Sequence, residues 1–275
     1  MIDGKTKLVA LIGNPVSHSL SPLIHNSAFN SLNINAVYLA FKVGREKLST
    51  AVEFLKDVDA IGANVTVPYK EEVVKYVDLL TDEAKEIGAI NTVLFTDRVE
   101  GHNTDGKGAI KALEEAGVKA DSSFFIFGAG GAARAIATTL AMEGAEIFLS
   151  NRTEKRGKEL VKKLCKYGKA KFVPLNSEYL YRYLPEVETI INATTVGMDG
   201  KCLVPENAIS EKHVVMDIVY SPLKTELIKR AEKVGAKTIT GDRMLLHQAA
   251  LSFEIWFKRK APVEIMETAL KGVVH

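Results

Sequence analysis

Apolar and polar positions alternate along the first hundred residues in two periods. Leu8 to Ile12 is an unbroken apolar run and predicts a buried strand. Ser21 to Leu32 predicts a helix opened by Ser21, with Pro22 in its first turn. Val37 to Phe41 predicts a second strand, and Arg45 to Leu55 a helix whose Leu48, Val52 and Leu55 share one face. Ile61 to Val67 predicts a third strand, followed by a helix from about Tyr69 to Val77. Thr81 is placed to cap a further short helix. Thr92 to Phe95 and Val99 to His102 predict a hairpin turning at Asp97-Arg98.

A second strand–helix series begins at Phe124 to Phe127, continues through a helix at Ala132 to Met142, and returns to a strand at Glu146 to Leu149. Further strands are expected at Lys171 to Val173, Thr189 to Asn192, Val214 to Asp217 and Lys237 to Ile239, with helices between several of them. Helices at about Arg243 to Lys258 and Val263 to Leu270 close the chain. The pattern predicts an α/β protein of two domains, 1–104 completed by 243–275, and 105–242. The last helices are expected to return to the first domain, leaving a cleft between the two.

With 275 residues there is enough chain for two cores. A formal net charge of +2, with no basic stripe, gives no nucleic-acid footprint. No apolar run has the length of a membrane span, and the N-terminus lacks the layout of a signal peptide. Cys165 and Cys202 stand far apart without metal-ligand spacing, so a reducing cytoplasm is expected, with neither disulfide nor metal.

Candidate chemistry starts at Gly128-Ala129-Gly130-Gly131-Ala132-Ala133, between a predicted strand and helix. Gly128 suits a tight turn, Gly130 lets backbone approach a pyrophosphate, and Ala133 permits close helix–strand packing. The helix N-terminus there attracts phosphate. A merely glycine-rich turn is the plain alternative, but the loop sits inside a complete βαβ unit, which supports a dinucleotide site across roughly residues 120 to 240. At the end of the next strand an NAD site would place an acidic residue. This chain has Ser150-Asn151-Arg152-Thr153 with Arg156 behind, and Arg152 is suited to a 2′-phosphate. NADP is the expected cofactor.

Four polar clusters mark the first domain: His18-Ser19-Leu20-Ser21, Asn64-Val65-Thr66 with Lys70, Asn91-Thr92, and Asn103-Thr104-Asp105-Gly106. Each has a plain structural reading. Ser21 and Asp105 are natural helix N-caps, Asn64 and Thr66 share one face of a half-exposed strand, and Lys70 is a solvated lysine. Together they supply hydroxyl, amide, ammonium and carboxylate groups on a domain attached to a nicotinamide-binding unit.

These clusters, with Gly88-Ala89-Ile90-Asn91-Thr92, the Gly128 loop, Asn151-Arg152-Thr153, Asn192-Ala193-Thr194-Thr195 with Gly197, Asp217-Ile218-Val219-Tyr220 with Pro222, and Gly241 with Gln248, run in an order that closely resembles the shikimate dehydrogenase family. The resemblance spans nearly the whole chain. It implies a Rossmann-type NADP domain beside a substrate domain, opening and closing, and NADPH-dependent reduction of 3-dehydroshikimate to shikimate on the route to aromatic amino acids.

By the same resemblance Ser19, Ser21, Asn64, Thr66, Lys70, Asn91, Asp105, Tyr220 and Gln248 would hold substrate. Gly128, Ala129, Gly130, Gly131, Ala132, Asn151, Arg152, Thr153, Arg156, Thr194, Ile218, Gly241 and Met244 would hold the cofactor, with Asp82 at the position of a family acid near the nicotinamide. Lys70 and Asp105 are the implied catalytic pair, and two roles remain for Lys70: transferring the proton, or binding and orienting. The expected partners are a small-molecule substrate and, as a candidate assembly, a second copy of the chain.

Three rivals stand beside this reading. A quinate/shikimate dehydrogenase of broader specificity is the nearest. A methylenetetrahydrofolate dehydrogenase would carry tyrosine where Thr66 stands. A non-catalytic NADP-binding regulator need not keep Lys70 and Asp105 together.

Overall fold

The first apolar run forms β1 (Lys7–Gly13), in which Val9, Ala10, Leu11 and Ile12 are all buried in the computed structural model of the chain. β2 (Ala36–Lys42) and β3 (Gly62–Val65) flank it in parallel, and the crossover helices that such parallel connections carry cover the sheet's faces and bury it on both. The structure describes residues 2–274. They divide into two units, one made of the residues up to Gly108 with those from Leu246 onward, the other Ala109–Leu245. The boundaries drawn from sequence, after 104 and 242, lie at the heads of the two helices inside which these divisions fall.

In the first unit α1 (Ser21–Ser31), α2 (Leu48–Asp57), β4 (Leu79–Leu80), α3 (Asp82–Ile87), β5 (Thr92–Phe95) and β6 (Val99–His102) complete a mixed sheet of order β2-β1-β3-β5-β6-β4. β5 pairs antiparallel with both β3 and β6, and the hairpin turns where Asp97-Arg98 predicts it. The Leu48, Val52 and Leu55 stripe of α2 is buried in one cluster with Ala10, Ile12, Ala63 and Val65. Thr81 caps α3, its hydroxyl accepting from Ala84 N at 3.2 Å.

Two expectations need correction. Arg45–Lys47 is one tight turn, and α2 begins only at Leu48. The helix expected over Tyr69 to Val77 is a series of turns with a single tight helical turn at Val73–Tyr76. The Lys70 carbonyl accepts from Ile90 N at 2.8 Å, a non-local bond that removes it from a helical ladder.

Helix α4 (Asp105–Glu115) starts in the first unit and passes into the second after Gly108, leading into β7 (Ser123–Phe127), α5 (Gly131–Met142), β8 (Glu146–Ser150), α6 (Glu154–Leu164), β9 (Ala170–Phe172), α7 (Ser177–Tyr183), β10 (Thr189–Asn192), β11 (Val214–Asp217), α8 (Glu226–Lys233) and β12 (Lys237–Ile239). The order β12-β11-β10-β7-β8-β9 is parallel throughout. The chain starts at the central β7, winds outward to β9, then returns to wind outward through β10 to β12. That is a doubly wound Rossmann-type sheet, whose switch point between β7 and β10 is where such sheets open a crevice. Separate apolar clusters cover its two faces. Last come α9 (Gly241–Phe257) and α10 (Val263–Val274), and α10 packs on α1 in the first unit.

Candidate active site

Behind β3 the chain turns, and Tyr69 anchors the turn by burying its ring and donating its hydroxyl to Val43 O at 2.6 Å. Lys70 follows, 15% exposed, with Nζ donating to Asp105 Oδ2 at 2.6 Å; the Asp105 side chain is 3% exposed. Asp105 is the first residue of α4, where the helix dipole favours a carboxylate. Its backbone N–H goes to Asn103 Oδ1 at 3.0 Å, and Asn103 Nδ2 reaches Ala89 O at 2.9 Å. The Asp105 carboxylate therefore bridges to other side chains, a role the N-cap reading would not give it.

Its other oxygen fixes Asn91. Asp105 Oδ1 only accepts, so Asn91 must present Nδ2 to it, at 2.9 Å, and the amide oxygen then faces Thr104 N at 2.8 Å. Asn91 Nδ2 also lies 2.8 Å from Thr104 Oγ1 and 3.3 Å from Gln248 Oε1. Asn64 is held behind it by the same logic. Tyr38 donates to Asn64 Oδ1 at 2.7 Å, while Asn64 Nδ2 is directed at Asn91 O, Thr92 Oγ1 and Ser252 Oγ. The Asn64 amide is thus engaged by the protein on both sides, and 5% of the residue is exposed.

Lys70, Asp105, Asn91, Asn64 and Gln248 are brought into one network. The other expected residues stand apart from it. Ser21 does not cap α1: Leu20 occupies that position, no side-chain cap bond is made, and Ser19 Oγ accepts from Ser21 N at 3.2 Å. Thr66 is half-buried after β3, its backbone N–H on Ile12 O and its methyl group over Gly13. Tyr220 lies in the second unit, half-buried. Asp82 heads α3 in the first unit with its side chain 98% exposed and paired to Lys85 at 3.0 Å.

Tyr38, Thr104 and Ser252, and the hydroxyl of Thr92, complete the network unanticipated. Thr92 and Thr104 adjoin Asn91 and Asp105 in sequence, and Ser252 follows Gln248 by one helical turn, so a signal existed for these three. Nothing local marked Tyr38.

In the second unit Gly128 leaves β7 at φ 120°, a conformation that favours glycine. A Cβ there would also lie 3.0 Å from Ala193 O and 3.2 Å from Thr194 Cγ2. Gly130 has open space where its Cβ would project, so the loop presents bare backbone at the head of α5. Arg156 Nη2 donates to Ala129 O at 3.4 Å, tying α6 to this loop. Arg152 is exposed, and Asn151 Nδ2 reaches Thr153 O at 2.8 Å. Thr153 stands at the N-cap position of α6 but makes no side-chain cap bond. Backbone donors, open space and an exposed guanidinium, with no carboxylate over Ser150–Thr153, suit a phosphorylated dinucleotide.

Asn192 and Asp217 knit the neighbouring loops. Asn192 Oδ1 accepts from Thr194 Oγ1 at 2.7 Å, and its Nδ2 donates to Val196 O and to Asp217 Oδ1. Asp217 also accepts from Val219 N and from the Thr225 hydroxyl; burial pushes its carboxyl up against the pull of these donors. Gly241 presses on the Ile218 and Val219 backbone, where a Cβ would clash, and Met244 is buried in the same unit's core. Among the described residues no group of three or more His, Cys, Asp or Glu is placed to hold a metal, and no helix is long and apolar enough to cross a membrane.

Three family models match in chain order: the shikimate dehydrogenase substrate binding domain over residues 11–93, shikimate/quinate 5-dehydrogenase over 111–218, and the shikimate 5′-dehydrogenase C-terminal domain over 243–271. The shikimate dehydrogenase (NADP(+)) of Methanopyrus kandleri is 44% identical over 283 residues, covering 98% of this chain and 96% of the relative. The chain belongs to the shikimate dehydrogenase family. A shikimate dehydrogenase solved in complex with NADP+ superposes with a TM-score of 0.92 at 40% identity, covering 100% of this chain and 98% of the other. The Listeria monocytogenes enzyme, solved with shikimate and NAD, gives 0.91 at 38% identity over 98% of each chain. Membership accounts for the order of the motifs, and the Lys70–Asp105 pair joins the Asn91 and Asn103 clusters of the first unit.

Proposed function

We propose that this chain catalyses the reversible NADPH-dependent reduction of 3-dehydroshikimate to shikimate, a step toward the aromatic amino acids. The observation that carries the reading is the buried ammonium–carboxylate contact between Lys70 and Asp105, set in a shell of amides and hydroxyls. NADPH, when bound, supplies the hydride. Negative charge then develops on the ketone oxygen, and Lys70 meets it with a proton or a charge-assisted hydrogen bond. Asp105 orients the ammonium and accepts from a ring hydroxyl. Asn91, held by Asp105 and Thr104, and Gln248 contact further hydroxyls. Ser19, Ser21 and Thr66 receive the carboxylate, and Tyr220 is a further substrate contact.

Asn64, whose amide is engaged by Tyr38, Asn91, Thr92 and Ser252, supports the substrate groups from behind. Backbone at residues 128–132 receives the pyrophosphate, and Asn151, Arg152, Thr153 and Arg156 the 2′-phosphate end. Thr194, Ile218, Gly241 and Met244 line the nicotinamide side. Asp82, exposed on α3, is the weakest member of this set. Two free cysteines, Cys165 exposed and Cys202 half-buried, fit a reducing cytoplasm.

The test is oxidation of NADPH by 3-dehydroshikimate. Stoichiometric loss of the cofactor with shikimate as product supports the assignment, and absence of turnover refutes it. A second reading, broader shikimate/quinate activity, draws on the matching family model, whose description includes quinate.

A further inference from the structure

Helix α9 carries Gln248, Ser252 and Trp256 at four-residue steps, so the three share one face. That face is keyed to the first unit's sheet at each step. The Trp256 indole fills the space a Cβ would take at Gly62 and donates to Val93 O at 2.9 Å. Gln248 packs on Gly108 and reaches Asn91. Between them Ser252 is fully buried, with Oγ 2.8 Å from Thr92 Oγ1, 3.1 Å from Asn64 Nδ2 and 3.2 Å from Thr104 Oγ1.

Hydrogen counting gives this hydroxyl a defined task. Its own proton goes to Gln248 O at 2.9 Å, a bond back along the helix. Its lone pairs are then acceptors for Asn64 and for one of the two threonines. Thr92 and Thr104 each have one hydroxyl proton, and both lie near Asn91 Oδ1, at 3.0 and 3.2 Å. With Ser252 taking one of those protons, the crowding of donors on Asn91 Oδ1 is relieved. The Asn91 amide then holds one geometry, Oδ1 to Thr104 N and Nδ2 to Asp105 Oδ1.

We propose that Ser252 is a positioning residue that acts through Asn91 to hold Asp105, and so Lys70, in register. The proposal rests on the reading of Lys70 and Asp105 as the reacting pair. Removing the Ser252 oxygen returns the threonine proton it accepted to Asn91 Oδ1, which already accepts from Thr104 N and from the other threonine, so one donor too many converges on that oxygen and the Asn91 amide shifts.

The experiment is a double-mutant cycle. Ser252→Ala should lower kcat with shikimate and NADP about tenfold while leaving the KM for NADP unchanged, because a slight misplacement costs rate rather than cofactor binding. In an Asn91→Ala background the same substitution should add nothing further, whereas full additivity would overturn the proposal. Side-chain amide NMR reads the geometry independently of turnover. The Asn91 NH2 signals, identified by their loss in Asn91→Ala, should move in Ser252→Ala, and unmoved signals would also overturn it. Ser252→Cys, of similar size, gives the same comparison should the alanine variant fail to fold. Wild-type inactivity with shikimate would instead refute the proposed function, leaving the amide signals to decide the role of Ser252.

Discussion

Lys70 and Asp105, 35 positions apart in the chain, meet through Nζ and Oδ2 at 2.6 Å with both side chains largely withdrawn from solvent. The lysine sits on a turn after β3 and the aspartate at the head of α4, so two separate elements must be placed correctly to make the pair. Lys70→Ala should retain the fold and NADP affinity and lose about 10² or more in turnover. Asp105→Asn should lose a comparable factor, and the double variant should be less than additive. Near-normal kcat in both single variants would remove the pair from the mechanism.

On the proposed reading, cofactor choice rests on Arg152, which is exposed two residues beyond the Ser150 carbonyl that accepts from Gly128 N. If Arg152 pairs with the 2′-phosphate, Arg152→Ala should remove a charge-assisted contact of about 1.5–3 kcal/mol, raising the KM for NADP roughly ten- to a hundredfold and leaving that for NAD nearly unaffected. Steady-state titration with both dinucleotides reads this. An undiminished preference for NADP would show that another group selects the cofactor.

Ser19 and Ser21 stand at the head of α1, where Ser19 Oγ accepts from Ser21 N at 3.2 Å and the N-cap residue Leu20 makes no side-chain cap bond. Their assigned task is binding, so Ser19→Ala and Ser21→Ala should raise the KM for shikimate more than they lower kcat. Equal loss in kcat with KM unchanged would give them a role in the chemical step instead.

His25 supplies a pH dependence of stability. It is fully buried, stacked on Tyr38 with ring centroids 4.5 Å apart, and among the described residues neither ring nitrogen has a hydrogen-bond partner. Burial pushes its pKa from 6.5 down to about 3. Between those values the unfolded chain binds the extra proton and the folded chain does not. Stability contributed by the neutral ring is therefore complete above pH 6.5 and falls as pH drops toward 3, by at most about 1.4 kcal/mol per pH unit. His25→Phe should flatten the acid side of the thermal-unfolding profile relative to wild type, a comparison in which other titrating groups cancel. Parallel profiles would mean that His25 is hydrated or partnered in solution.

Local chemistry made much of this fold legible. Asp97-Arg98 between two alternating strands gave the hairpin, and glycines between an apolar strand and a helix gave the dinucleotide loop. What stayed hidden was decided by distant atoms. The Tyr69 to Val77 helix fails because Ile90 takes the Lys70 carbonyl, and β4 is only two residues long, held by Glu100 and Gly101 across the sheet. Alternation put Asn64 and Thr66 on one face, yet could not reveal that Tyr38 and Ser252 close around the Asn64 amide from 26 positions before it and 188 after it. Capping propensity favoured Ser21, whereas Leu20 holds that place and Ser21 lies inside the first turn.

Substrate identity is the central claim, and a paired steady-state assay of NADP reduction tests it most directly. Quinate differs from shikimate by water added across the ring double bond, which makes the carboxylate-bearing carbon tetrahedral and puts a hydroxyl on it, bringing bulk and polarity toward Ser19 and Ser21. With shikimate in one cuvette and quinate in the other, kcat/KM should favour shikimate by roughly a hundredfold or more. Comparable efficiency on quinate would contradict the narrow assignment in favour of dual specificity, and no NADP reduction with either would contradict the account as a whole.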